Sequence, residues 1–224
     1  MTVLTLSPKE ELLIRLFKDR RLAHRVVFGG AHKFATPLFH AEIIDRFHSK
    51  AIRNCVEITF RGGAKSTLAE EGVSLGTGFR DFAHCLIVGA SIDRGRERLH
   101  AVRRHLENNE AMLELFGDLK GRPWTDDMLE TNTGRTIQAM GRGQSLRGTK
   151  SERIRPDLIL LDDIEDAESL RTAEGRKKIQ DWFFQELLPM GDEPTMRVRI
   201  LSNDRHPECL ANILKAPDSG FEGV

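Results

Sequence analysis

Two stretches of this chain are apolar almost without interruption: His84 to Ala90 (HCLIVGA) and Asp157 to Leu161 (DLILL). A strand with water on one face alternates apolar and polar side chains. A strand that is apolar at nearly every position is covered on both faces. Sheets of that kind are built from parallel strands whose crossovers place helices above and below, so these two runs predict a mainly parallel α/β sheet flanked by helices.

The rest of the chain fits that alternation. Ser7-Pro8-Lys9-Glu10-Glu11 reads as a capped helix start, followed by Leu12, Leu13, Leu16 and Phe17 on one face. Phe34 to Phe47 is a second amphipathic stretch, entered through Thr36-Pro37. Cys55 to Phe60 is a short β-rich run, and Lys65 to Leu75 is helical in pattern. After the His84 strand, Ile92 to Phe116 reads as one long polar helix. Arg135 to Met140 is a short strand, Ser169 to Leu188 a helix, Met196 to Leu201 a last strand, and a helix starts at Pro207. In that last strand Met196, Val198 and Ile200 alternate with Arg197 and Arg199, which predicts one polar face. No internal repeat, low-complexity segment or interdomain linker interrupts the 224 residues, which suit one domain with a substantial core.

Composition narrows the function classes. Apolar residues at 39% and charged residues at 30% exclude a disordered or fibrous chain. Lys plus Arg (34) equals Asp plus Glu (34), so no basic excess supports duplex-DNA binding by a lone subunit; such contact must come from local patches or a ring. The three cysteines, Cys55, Cys85 and Cys209, have no metal-ligand spacing and read as small core residues on strands in a reducing cytosol. No segment approaches the roughly 18 apolar residues of a membrane span, so a soluble, intracellular protein is expected.

Chemistry is concentrated in two places. Arg61-Gly62-Gly63-Ala64-Lys65-Ser66-Thr67 lies between a strand and a helix. A phosphate is held there by loop N–H groups and the positive helix end, while a Lys reaches the outer phosphates and a hydroxyl reaches Mg²⁺. Gly62 and Gly63 supply flexibility, Lys65 the charge and Ser66 the hydroxyl. Against GxxxxGK[ST], Thr59 replaces the first Gly and Ala64 the one before Lys. The second place is DLILLDDIED, Asp157 to Asp166, a strand that ends in acids. Such a strand delivers carboxylates to the phosphate site at the C-terminal edge of the sheet. Asp162 is assigned to Mg²⁺, directly or through water, and a neighbouring acid to the attacking water. For that base Asp163 is favoured; Glu165 points the same way if the chain stays extended, and reaches further.

Three further features adjoin the pair. Arg61 inside the loop either contacts the γ-phosphate, links the loop to the acidic motif, or is a solvated arginine. GRGQSLRG, Gly141 to Gly148, is a Gly/Arg-rich loop ahead of the acidic strand, and Arg147, with Arg142 second, is the candidate arginine finger. Ser202-Asn203 ends the last strand with small polar residues, where a γ-phosphate can be sensed or a plain turn made.

In the order RGGAKST, LENNEAMLELFGDLKG, Trp124-Thr125, GRGQSLRGTK, RPDLILLDDIED and ILSNDRHPECL, the chain resembles the N-terminal ATPase domain of the phage terminase large subunit, the DNA-packaging motor. The resemblance runs from the Phe39-His40 region to about His206-Pro207. It implies a P-loop NTPase fold of the additional-strand (ASCE) type, with residues 1–50 a helical lead-in and 51–224 the ATPase core. It implies ATP and Mg²⁺ as ligands, and double-stranded DNA, a portal protein and a small terminase subunit as partners. It also implies a pentameric homo-oligomeric ring on the procapsid portal in the host cytoplasm, from a protomer that is monomeric in isolation. By position, Lys65, Ser66 and Thr67 match the phosphate and Mg²⁺ residues, Arg61 the loop arginine, and Asp162 and Asp163 the metal and catalytic acids. Arg147 matches a finger acting in a neighbouring subunit, Ser202 and Asn203 the coupling motif, and Phe39 and His40 the adenine region. The family's C-terminal nuclease domain has no counterpart here, so no DNA cleavage is expected of this chain. The rival readings are a helicase-like or AAA-type ATPase and a nucleotide-binding module with little turnover.

Overall fold

The computed structural model describes residues 6–32, 35–144 and 155–223. Three helices come first: α1 (Pro8–Lys18), α2 (Arg20–Phe28) and α3 (Leu38–His48). Strands and helices then alternate: β1 (Asn54–Thr59), α4 (Lys65–Phe79), β2 (His84–Gly89), α5 (Ile92–Asn108), α6 (Glu110–Phe116), β3 (Lys120–Trp124), β4 (Met128–Thr131) and β5 (Thr136–Gly141). The acid-ending strand is β6 (Leu158–Asp162), followed by α7 (Ala167–Leu170), α8 (Ala173–Trp182), β7 (Arg197–Asn203), α9 (Leu210–Leu214) and the short β8 (Glu222–Gly223).

All eight strands form one sheet in the order β3-β4-β5-β2-β6-β7-β1-β8. From β5 to β8 every neighbour is parallel, while β3 and β4 add an antiparallel edge. The expected buried strands are buried: every residue of β2 and of β6 is shielded from solvent. Alternate side chains feed two cores. Cys85, Ile87, Leu158 and Leu160 join the helices α1, α2, α4 and α5, whereas Leu86, Val88, Ile159 and Leu161 meet α8 and α9. Each fully buried Leu or Ile contributes on the order of 2 kcal/mol, so both helix layers are held by the sheet rather than by their own propensity.

Helix ends follow local capping. Ser7 and Glu10 close a capping box on α1. Asp19 ends α1 and accepts the Leu22 N–H at 2.9 Å to start α2. Two boundaries differ from the sequence expectation, because apolar periodicity runs through a residue that is in fact a cap. Asn109 divides the expected helix over 92–116, accepting from the Met112 N–H at 3.0 Å. Likewise Thr172 separates α7 from α8. Leu12 and Phe17, expected on a buried face, are 38% and 47% exposed, and α1 is anchored chiefly through Leu16. Phe34, the expected start of the second stretch, lies outside the described residues, and that helix begins at Leu38. Where α3 crosses α4, Gly72 is required: a Cβ there would lie 2.6 Å from the Phe47 ring.

The largest correction concerns β7. Its expected polar face does not reach water; all seven residues are buried. Arg199 is 1% exposed, and its five N–H groups all find carbonyls. Nε donates to Phe47 O at 3.0 Å, Nη1 to Arg53 O and Val198 O at 2.9 and 3.0 Å, and Nη2 to Ser49 O and Ile52 O at 2.8 and 2.9 Å. These acceptors include the last-turn and exit carbonyls of α3, which have no partner inside the helix. Burial, and secondarily the nearby Arg197 charge, push the guanidinium pKa down, and full hydrogen bonding keeps the charge tolerable. Arg197 similarly donates to Asp81 O at 2.7 Å. Replacing Arg199 by Leu strands several buried carbonyls at roughly 1–3 kcal/mol each. Arg199→Leu is therefore expected to lower unfolding free energy by at least about 3 kcal/mol in urea denaturation; a loss below about 1 kcal/mol contradicts this account of β7.

Candidate active site

The parallel strands present their C-terminal ends at one edge, and β1, β6 and β7 each deliver a polar segment there. After Thr59 the chain turns tightly: Gly63 N–H donates to Phe60 O at 3.1 Å, and Gly62 has φ +87°. Ala64 occupies the left-handed region, φ 55° and ψ 19°, immediately before α4. That is the conformation for which Gly is the unstrained choice, so the substituted position of the motif keeps a glycine-like geometry at a local cost of about 1–2 kcal/mol.

Lys65, the first residue of α4, is 6% exposed, and its Nζ donates to Asn203 Oδ1 at 3.0 Å and to Asp163 Oδ2 at 3.3 Å. Asn203 Nδ2 donates to both Asp163 oxygens at 3.0 Å, closing a three-residue ring. Next to it Ser66 Oγ donates to Asp162 Oδ1 at 2.9 Å. The loop, the acidic strand and the strand ending in Ser202-Asn203 thus meet at one point. Ser202 takes the other side of its strand, its Oγ donating to Asn203 O at 3.2 Å. Burial raises the Asp162 pKa, and the Ser66 hydroxyl and Arg98 oppose that rise.

The two candidate bases are placed differently. Asp163 has φ 45°, so the chain does not stay extended after β6 and the alternation that would align Glu165 with it is broken. Asp163 faces Lys65 with its side chain 31% exposed. Glu165 is 4% exposed and accepts the Leu210 N–H at 2.8 Å at the start of α9, with its pKa raised by burial. Both carboxylates border a cleft of about 420 Å³ with Arg61, Gly62, Lys65, Ser66 and Asp162. Arg61 has no ion pair among the described residues. Arg142 donates to Ile164 O at 2.7 Å, Ser169 Oγ at 3.1 Å and Asp166 Oδ2 at 3.1 Å, tying the Gly/Arg loop to the acidic loop of its own chain. Arg147 lies outside the described residues.

On the other side of the loop is a second cavity of about 740 Å³, bordered by Phe39, His40, Phe60, Gly63, Ala64, Thr67 and Leu68 among others. His40 Nε2 is 2.7 Å from Gly63 O, and Phe39 lies between the His40 and Phe60 rings, with centroids 4.3 and 5.7 Å away. An apolar cavity and a charged cleft therefore share the same loop.

Three cleft arginines are given no role there by the sequence reading: Arg205, whose Nη2 is 3.9 Å from Asp163 Oδ2, and two on α5. Arg94 and Arg98 lie one turn apart on α5 and both line the cleft; Arg98 Nε is 3.4 Å from Asp162 Oδ2. The available signal was their i, i+4 spacing on a helix that starts at Ser91, right after a buried strand.

Strand β7, with Asn203 at its end, lies hydrogen-bonded between the strand that enters the loop and the strand that ends in Asp162. The fold is that of a P-loop NTPase with an additional central strand. The crystal structure of the HK97 bacteriophage large terminase is similar, with a TM-score of 0.58 at 11% sequence identity, over 84% of this chain and 38% of that one. A variant of S. cerevisiae Dbp5, in a complex that includes ADP, gives 0.51 at 12% identity, over 98% of this chain and 52% of that one. The chain spans less than two fifths of the terminase and about half of the Dbp5 chain. No protein-family model and no curated sequence matches it. Among the described residues, no helix is long and apolar enough to cross a membrane.

The P-loop geometry at Ala64 makes a direct test. Ala64→Gly removes the left-handed strain and returns about 0.5–1 kcal/mol of that gain as chain entropy, so it should raise stability by up to about 1 kcal/mol. Ala64→Val, β-branched at positive φ, should lower the melting temperature; the reverse order in thermal denaturation contradicts the loop conformation.

Proposed function

We propose that this chain hydrolyses ATP and is the motor domain of a terminase large subunit, driving double-stranded DNA into a viral procapsid. The observation that carries the reading is the meeting of Lys65, Asp163 and Asn203 beside the Ser66–Asp162 pair, at the mouth of a left-handed phosphate loop. Lys65 is positioned to exchange Asn203 and Asp163 for the outer phosphates of a nucleotide. The loop N–H groups and the N-terminus of α4 hold the phosphates, and the aromatic cavity next to Phe39 and His40 takes the base.

Ser66 and Asp162 offer a hydroxyl and a carboxylate, hard oxygen donors that would hold Mg²⁺. When bound, the ion neutralises charge on the β- and γ-phosphates. Asp163 orients the attacking water and accepts its proton, while Asn203, bonded to both Lys65 and Asp163, registers whether the γ-phosphate is present. Glu165, buried and committed to the start of α9, supports the acidic loop instead. Arg61 borders the phosphate side of the cleft. Arg147 is assigned to the site of a neighbouring subunit, so the motor works as a ring, with the portal, a small terminase subunit and DNA as partners in the host cytoplasm. Likeness to Dbp5 favours a helicase-like ATPase as the second reading.

ATPase assays on the purified chain separate the roles. Asp163→Asn should lower kcat by roughly 10²-fold or more, as loss of a general base does, with Glu165→Gln much less affected per folded molecule. Lys65→Ala should abolish turnover. Hydrolysis unchanged in Lys65→Ala contradicts the proposal, and stimulation by RNA but not by duplex DNA with procapsid portals selects the helicase-like reading.

A further inference from the structure

The sequence offers no reason to connect α5 with the acidic strand, yet the structure links them. Arg98 reaches the cleft from the second turn of α5, with its side chain 23% exposed. Its Nη1 donates to Glu70 Oε1 on α4 at 2.5 Å, and its Nε faces Asp162 Oδ2 at 3.4 Å. The other oxygen of Asp162 accepts from Ser66 at 2.9 Å. The two carboxylate oxygens therefore have separate partners: one faces the phosphate loop and the other is held from behind. Glu70 is itself 8% exposed and sits one turn along α4 from Ser66, so the contacts run in a closed circuit from α4 through α5 to β6 and back to α4.

A lysine could not make this circuit with the same geometry. The planar guanidinium presents fixed donors to three carboxylates at once, Glu70, Asp162 and, 3.2 Å from its Nη2, Glu97, whereas an ammonium is a point charge on a flexible stem. Arg94, one turn earlier, is differently placed: its side chain is 68% exposed and pairs with Glu97.

We infer that Arg98 is a positioning residue for the metal-binding acid, holding the Asp162 carboxylate so that its Ser66-facing oxygen is presented to Mg²⁺, with Glu70 as the anchor of Arg98. The inference rests on the P-loop ATPase reading. Two opposite effects are in play. A nearby cation repels Mg²⁺, so a purely electrostatic role predicts tighter metal binding when Arg98 is removed. A positioning role predicts weaker binding, because groups that orient metal ligands typically account for about 10–100-fold in metal affinity.

Binding of a fluorescent ADP analogue to the full chain, titrated with Mg²⁺ and compared with EDTA, distinguishes these. In Arg98→Ala the Mg²⁺ concentration for half-maximal effect should rise by roughly tenfold, with a smaller change in affinity in EDTA. Arg98→Lys should recover only part of the loss. Glu70→Gln, which removes the Glu70 ion pair while keeping the charge of Arg98, should shift the response the same way and serves if Arg98→Ala does not fold. A Mg²⁺ response unchanged or stronger in both Arg98→Ala and Glu70→Gln overturns the inference, as does a loss confined to the EDTA arm, which would mark a direct phosphate contact. Wild-type chain that binds no nucleotide, with or without Mg²⁺, overturns the ATPase reading instead.

Discussion

Strand β7 depends on one buried cation. A guanidinium in the centre of a sheet is tolerable only when every donor is satisfied, and Arg199 meets that condition with five backbone carbonyls. Its acceptors are spread over the end of α3, the entry to β1 and β7 itself, so one side chain locks the N-terminal helices to the sheet. Four residues further along the same face of the strand, Asn203 lies between Lys65 and Asp163. The strand that carries Asn203 into the cleft is thus the strand that grips α3. Because α3 also carries Phe39 and His40, the two sides of the phosphate loop share one mechanical frame.

What could be read from the residues alone follows from range. The runs around Leu86 and Leu160 are local, strongly apolar signals, and the strands formed where those runs lie. The loop at Lys65 and the acids at Asp162 and Asp163 were readable as a pair because each carries a distinctive residue order. Short edge strands were not: β3 reads Lys-Gly-Arg-Pro-Trp, with Gly and Pro that argue against a strand, and its stability comes from pairing with β4. Asn109 and Thr172 lie inside expected helices, yet each caps a new one. Cys55 and Cys85 lie buried on strands as expected, but Cys209 is the buried residue that precedes α9.

The arginines show the same limit more sharply. Alternation in Met196 to Ile200 looks amphipathic, and only carbonyls about 150 positions earlier in the chain make it a buried strand. Arg94 and Arg98 belong to a helix whose composition suggests a solvated face, yet the crossover from β2 turns that face over the cleft. Charge on a helix has no assigned partner until the sheet order is known. With it known, Arg98 and Glu70 become part of how Asp162 is held, and Arg142 is committed to the acidic loop of its own chain.

The central claim is that one cleft brings the loop, the acid-ending strand and β7 together around a nucleotide. A crystal structure with a non-hydrolysable ATP analogue and Mg²⁺ tests it most directly. The account predicts the β- and γ-phosphates on Lys65 and the loop N–H groups, the ion beside Ser66 and Asp162, and the Lys65–Asn203 hydrogen bond broken in favour of phosphate. A nucleotide bound elsewhere, or one in the cleft with the Lys65–Asn203–Asp163 ring intact, would contradict it.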